Sequence, residues 1–145
     1  MNLTKVKEQL LEVGKSIGLQ VQEENAQDIS LHSQIIAKDY FDSSIYCRIT
    51  IFDSGTFHMF LTFYPMEKTY DNLFLINRFN AEHPWLKAYI DNINDKDYLE
   101  LHYSALSLKD EREVVDTFGY MLNNLLKEDT LKLLQPIIES GKETN

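Results

Sequence analysis

Only one cysteine, Cys47, occurs in the 145 residues. An internal disulfide is therefore excluded, and nothing implies an oxidising compartment. Cys47 lies in Tyr46-Cys47-Arg48-Ile49-Thr50-Ile51, where alternation groups it with Ile49 and Ile51 as a small buried hydrophobe rather than a reactive thiol. Long apolar runs are also missing: none approaches the ~18 residues of a membrane helix. The opening MNLTKVKEQLLEVGKSIG is charged and amphipathic, without the apolar core or cleavage site of a signal peptide. Positive charge is scarce, 14 Lys and Arg against 23 Asp and Glu, for a formal net charge of −9. That balance repels phosphate backbones and anionic bilayers. Neither nucleic acid nor membrane is expected as a partner, and the expected compartment is the cytoplasm.

The chain carries no nucleophile-and-base pair and no phosphate loop. His32, His58, His83 and His102 have no short-range partner at ligand spacing. Asn92-Ile93-Asn94-Asp95-Lys96-Asp97 lacks the side-chain spacing and glycine bend of a calcium loop. Asp91, Asp95, Asp97 and Glu100 cluster about a turn, where Asp and Asn serve backbone hydrogen bonding. The expectation is a protein that is not an enzyme, with no catalytic residue, no metal and no cofactor.

What is present is a core. Hydrophobic residues make up 43% of the chain, and eight Phe with eight Tyr favour a sheet packed against helices. No repeat and no linker-like shift divides the sequence, so residues 1–140 read as a single domain and 141–145 as a frayed tail. Leu3, Val6, Leu10, Val13 and Ile17 recur at helical spacing, with Asn2 or Thr4 as cap and Gly18 to close. Alternation predicts strands over 28–38, 46–52 and 57–64, the last two joined by Asp53-Ser54-Gly55-Thr56. A helix capped by Thr69 follows and stops at His83-Pro84. Residues 85–91 and 98–104 predict a second hairpin across a six-residue turn, 92–97. Asp110 and Glu113 resemble a capping box for the last long helix, with Ser107 as a competing cap. A break at Lys127-Glu128-Asp129 precedes a further turn carrying Leu131, Leu134 and Ile138, which Pro136 would disrupt from inside. The order is helix, three strands, helix, two strands, helix. Short turns make the strand pairs antiparallel, so the fold class is α+β, one antiparallel sheet with helices packed on one face.

Leu75-Ile76-Asn77-Arg78-Phe79-Asn80 resembles the Asn-x-aromatic-Asn helix segment of the YbjN-like family of small bacterial proteins. His83-Pro84-Trp85-Leu86-Lys87-Ala88-Tyr89-Ile90-Asp91 is similar to that family's first strand after the helix, and Tyr98-Leu99-Glu100-Leu101 to its next. The resemblance implies a small acidic α+β domain with a type III secretion chaperone-like fold. It also implies dimerisation, and protein binding rather than catalysis.

Two features bear on a binding surface. Tyr46, Phe52, Phe60 and Tyr64 fall on the strand face that should be polar if helices cover only the other. With Phe118 and Met121 as helix contributors, they form the expected partner-binding set, aromatic and Met side chains giving adaptable contact area. Asn77 and Asn80, at i and i+3, share one helix face despite poor helix propensity. Their amides either bond neighbouring strand backbone or line a ligand pocket. The leading expectation is a non-enzymatic chaperone-like or regulatory module, a homodimer with a protein partner. An acidic immunity or inhibitor protein masking a basic enzyme is the alternative, motivated by the −9 charge.

Overall fold

Asn2 accepts the Lys5 N–H and opens helix α1 (Leu3–Val13), which turns Val6 and Leu10 inward. A 3-10 turn (Gly14–Ile17) ends on Gly18 at φ 67°, the left-handed closure the sequence predicts. Four strands follow: β1 (Gln20–Glu24), β2 (Asp28–Ile36), β3 (Ser44–Phe52) and β4 (Phe57–Pro65). Then come α2 (Tyr70–Glu82), β5 (Lys87–Ile93), β6 (Lys96–Ala105), α3 (Glu111–Leu125) and α4 (Glu128–Glu143). This computed structural model describes residues 1–36 and 44–143, the side chains of Tyr64 and 140–143 excepted. The strand expected over 28–38 is seen to Ile36, and Ala37 and Lys38 lie outside the described residues.

The strands form one six-stranded antiparallel sheet in the order β1-β2-β3-β4-β6-β5. This is the α+β architecture expected, with the first strands as a meander and the second hairpin joined to it through β4 and β6. Alternation turns Ile29, Leu31, Ile35, Ile45, Cys47, Ile49, Ile51, Phe57, Met59, Leu61, Leu99 and Leu101 to one face, all fully buried or nearly so. Val6 and Leu10 of α1, Ile76 and Phe79 of α2, Val114 and Phe118 of α3, and Leu134 and Ile137 of α4 join them in one core. All four helices therefore cover the same face. Burial pushes the Cys47 thiol up to about 12, in keeping with a packing role.

Three details differ from expectation. Strand β1 was not foreseen, because all five of its side chains are exposed and no apolar alternation marks it. The second hairpin turns on two residues, not six. Asn94 (φ 52°) and Asp95 (φ 65°) both take the left-handed region, as a type I′ turn requires, so β5 and β6 run further toward each other. The last segment is a 16-residue helix rather than a turn, with Pro136 inside it and the tail residues 141–143 continuing it. Residues 144–145 lie outside the described set. Proline removes one backbone bond there, and burial of Leu131, Leu134, Ile137 and Ile138 against the core offsets it. The α3 cap is Asp110, as expected, and Ser107 takes φ 61° instead of capping. Asp110 accepts the Glu113 N–H at 2.9 Å, and the Glu113 carboxylate reaches back to the Lys109 backbone N–H at 2.6 Å.

Candidate functional site

The strand face turned away from the helices carries His32, Tyr46, Arg48, Phe52, His58, Phe60, Tyr89, Tyr98, Glu100 and His102, placed there by the same alternation that builds the core. Tyr46, Phe52 and Phe60 are half-buried. Of the expected set, these three share this face. Tyr64 belongs to β4, but its side chain is outside the described residues. Phe118 and Met121 are corrected: at 0% and 1% exposure they belong to the core and reach no surface. An amphipathic stripe on α3 looks the same from sequence whether it meets the chain's own sheet or a partner.

The face is held by ring contacts. Phe60 stacks on His102 with centroids 4.5 Å apart and carries the Arg48 guanidinium 5.1 Å from its ring centre. His58 lies nearly parallel to both rings, 6.0 Å from Phe60 and 5.4 Å from His102 between centroids, and its Nδ1 lies 3.1 Å from His102 Nε2. One of those nitrogens carries the hydrogen and the other accepts it, so a second proton on both rings would break the bond. Burial and the neighbouring His58 charge lower the His102 pKa. Tyr46 Oη lies 3.1 Å from His32 Nδ1 and accepts from the Gln22 amide at 3.3 Å. Histidines 44 residues apart gave no local spacing signal, and only the β4–β6 register brings them together.

Beyond Phe60 the face dips into a concavity of about 720 Å3, lined by Gln34, Ser44, Tyr46, Arg48, Phe60, Thr62, Phe63, Pro65, Asp91, Ile93, Tyr98 and Glu100. The bulge between Thr62 and Pro65 opens it by interrupting the β4–β6 ladder. Glu100, only 6% exposed, accepts from the Tyr89 hydroxyl at 3.3 Å, and Asp91 lies diagonal to it on the neighbouring strand. Burial raises the Glu100 pKa and Asp91 raises it further, while Tyr89 and Arg48 act against the shift. Among the described residues neither carboxyl is in an ion pair.

The two asparagines separate. Asn80 Oδ1 accepts the Ala88 N–H at 2.7 Å and Nδ2 donates to the Ala88 carbonyl at 2.9 Å, so its amide serves strand backbone. Asn77 is exposed and lines neither the concavity nor the strand. Two more polar residues do similar work, Asn72, which sequence reasoning passed over, and His83, weighed there only as a metal ligand and a helix stop. Buried Asn72 donates to the Glu67 carbonyl at 2.8 Å. His83, 6% exposed, stacks on Phe79, accepts the Leu86 N–H at Nδ1 and faces Thr130 Oγ1 of α4 at Nε2, 3.4 Å away.

Among the described residues no group of three or more His, Cys, Asp and Glu could hold a metal ion, and no helix is long and apolar enough to cross a membrane. No family model and no curated protein matches the sequence. The fold does have a solved counterpart. It is similar to the crystal structure of YbjN from E. coli, described as a candidate transcription regulator, at a TM-score of 0.54 and 15% identity. The match covers 95% of this chain and 92% of that one, so the architecture is a YbjN-like fold.

Proposed function

We propose that the chain is a non-enzymatic protein-binding module of the cytoplasm, regulatory or chaperone-like in role, whose docking surface is the helix-free face of the sheet. The observation that carries this reading is the half-buried state of that face. Tyr46, Phe52 and Phe60 are held in place by stacking and hydrogen bonds, yet no element of the described residues covers them. Rigid aromatic rings beside a concavity lose little entropy on binding and offer large contact area. The groups with chemical potential are engaged structurally: Cys47 is buried, and His58 and His102 bond each other. A regulatory role, of the kind given for YbjN, would be exercised through protein contacts, since a −9 chain is repelled by nucleic acid. The outward side of α2, with Tyr70, Leu73 and Phe74 exposed, supports the homodimer part of the reading by offering a second copy an apolar strip away from the sheet.

The test is affinity capture from native cytosol with the wild-type chain and with Phe60→Glu, followed by amide-shift mapping of the captured partner on labelled protein. Binding that maps to β3, β4 and β6, and is lost in Phe60→Glu with the fold intact, is the expected result. A partner that maps to the helices sinks the reading.

A further inference from the structure

The concavity beside Phe60 has a chemical preference that narrows the partner. Its floor is the Asp91–Glu100 pair, set diagonally across β5 and β6 on one face. Glu100 is more than nine-tenths buried, and the Tyr89 hydroxyl meets it at 3.3 Å, longer than a well-formed O–H···O bond. Two carboxyls so close favour holding a proton between them or taking up a cation. Among the described residues no cation forms an ion pair with either carboxyl: Arg48 acts on Glu100 from a distance but is drawn over Phe60, and Lys87 lies farther along β5 opposite His102. The lining includes the aromatic side chains of Tyr46, Tyr98 and Phe60, the last already holding one cation, Arg48, over its ring. At about 720 Å3 the space lies within the ~300–1,000 Å3 of ligand sites and is roomier than one side chain needs.

The geometry points to a lysine or arginine side chain, presented by an extended segment of the partner, as the group this concavity receives, its cationic head on Asp91 and Glu100. The inference rests on the reading of this face as the docking surface and adds the partner's chemistry. Charge complementarity carries it, in the pocket and in the −9 charge that steers a basic segment inward. Flanking apolar residues of the segment meet Ile93, Phe60 and Tyr46. A bound cation favours the ionised carboxylates, so binding and protonation compete. The charged or titratable groups facing the pair are Lys87 and Tyr89 on β5, Tyr98 and His102 on β6, and Arg48 on β3. Of these, His102 is the imidazole, its pKa lowered by burial and by His58, and His102→Gln serves as its control.

The experiment titrates two blocked peptides into the labelled full-length chain, acetyl-Ser-Leu-Lys-Leu-Ser-amide and the same peptide with Nε-acetyl-lysine. The lysine peptide is expected to move the amides of Tyr46, Phe60, Asp91, Tyr98 and Glu100, and the acetylated one to bind at least about tenfold more weakly. Glu100→Gln and, independently, Asp91→Asn should each bring the lysine peptide close to the acetylated level, with the spectrum otherwise unchanged. Lowering the pH from about 8 to about 5 should weaken the lysine peptide in wild type and in His102→Gln alike. Equal binding of the two peptides, shifts confined to another surface, or no binding of either overturns the inference. If both peptides fail while the captured partner still maps to the sheet face, only the cation is wrong. A partner that maps elsewhere removes the docking reading itself.

Discussion

Replacing Asn80 by Leu tests how the edge of the sheet is closed. Strand β5 is the edge strand, and Ala88 turns its N–H and carbonyl away from β6 toward α2. The Asn80 amide meets both, at 2.7 and 2.9 Å, standing where the peptide group of a further strand would be. Ala88 is 4% exposed, so water does not readily take over. Each buried polar group left unpaired costs about 1–3 kcal/mol. The two groups together, less about 0.5 kcal/mol gained from the better helix propensity of Leu, give a net loss of roughly 1.5–5.5 kcal/mol. At about 4 °C per kcal/mol for a chain of this size, Tm should fall by roughly 6–22 °C. Asn77→Leu is the internal control, because Asn77 is exposed and the same propensity term should raise stability by up to about 0.5 kcal/mol. Urea unfolding followed by circular dichroism reads both. An Asn80→Leu variant within about 1 kcal/mol of wild type at unchanged m-value would refute the edge argument.

Two further outcomes follow from buried groups. His83 has its pKa lowered below the ordinary 6.5 by burial and then by Lys87, and its Nδ1 accepts the Leu86 N–H, so the fold holds it neutral. A depressed histidine contributes stability fully above its unfolded pKa and loses it as pH falls through 6.5 toward the folded value. Unfolding free energy should therefore drop between about pH 7 and pH 5, and a His83→Gln variant should show a flatter profile over that window, measured by urea titration at each pH. Gly55→Ala should cost at least about 2 kcal/mol, because φ is 91° and the added Cβ would press into the Leu108 carbonyl. Thermal unfolding within a degree or two of wild type would show that the loop before α3 yields more easily than its bond from the Leu108 N–H to the Gly55 carbonyl implies.

The parts of the fold legible in the sequence are those in which burial and period coincide. β2, β3 and β4 alternate strictly because helices cover one side of them only, and the caps Asn2, Thr69 and Asp110 each satisfy a first-turn N–H. β1 was invisible because no residue in it is buried, and it is held by pairing to β2 and by polar contacts, Gln22 to Tyr46 and Glu24 to Lys7. The tight turn at Asn94-Asp95 was hidden by its setting. Asn92, Lys96 and Asp97 around it are polar as well, and only the backbone shows that two of the six residues take positive φ. Pro136 inside α4 defeats propensity because the helix is stabilised by what it buries, not by its own backbone bonds.

The candidate site was legible in a different way. Tyr46, Phe52 and Phe60 could be assigned to the outer face because position parity fixes which side a strand residue takes. What each residue does there depends on cross-strand register, and sequence does not print register. Phe60 opposes His102, which brings His58 within 3.1 Å of that ring, and Glu100 lies diagonal to Asp91 only because Tyr89 pairs with it. The same limit explains the asparagines. Helical spacing put Asn77 and Asn80 on related positions, yet a rotation of three residues carries one amide onto the Ala88 backbone and leaves the other in solvent. Composition therefore marks which polar residues need a reason, and the packing of α2 against the edge strand supplies the reason for only one of them. The aromatic face keeps both properties at once. Its rings are fixed by neighbours the chain provides, and their outer surfaces remain available to whatever the Asp91–Glu100 pair attracts.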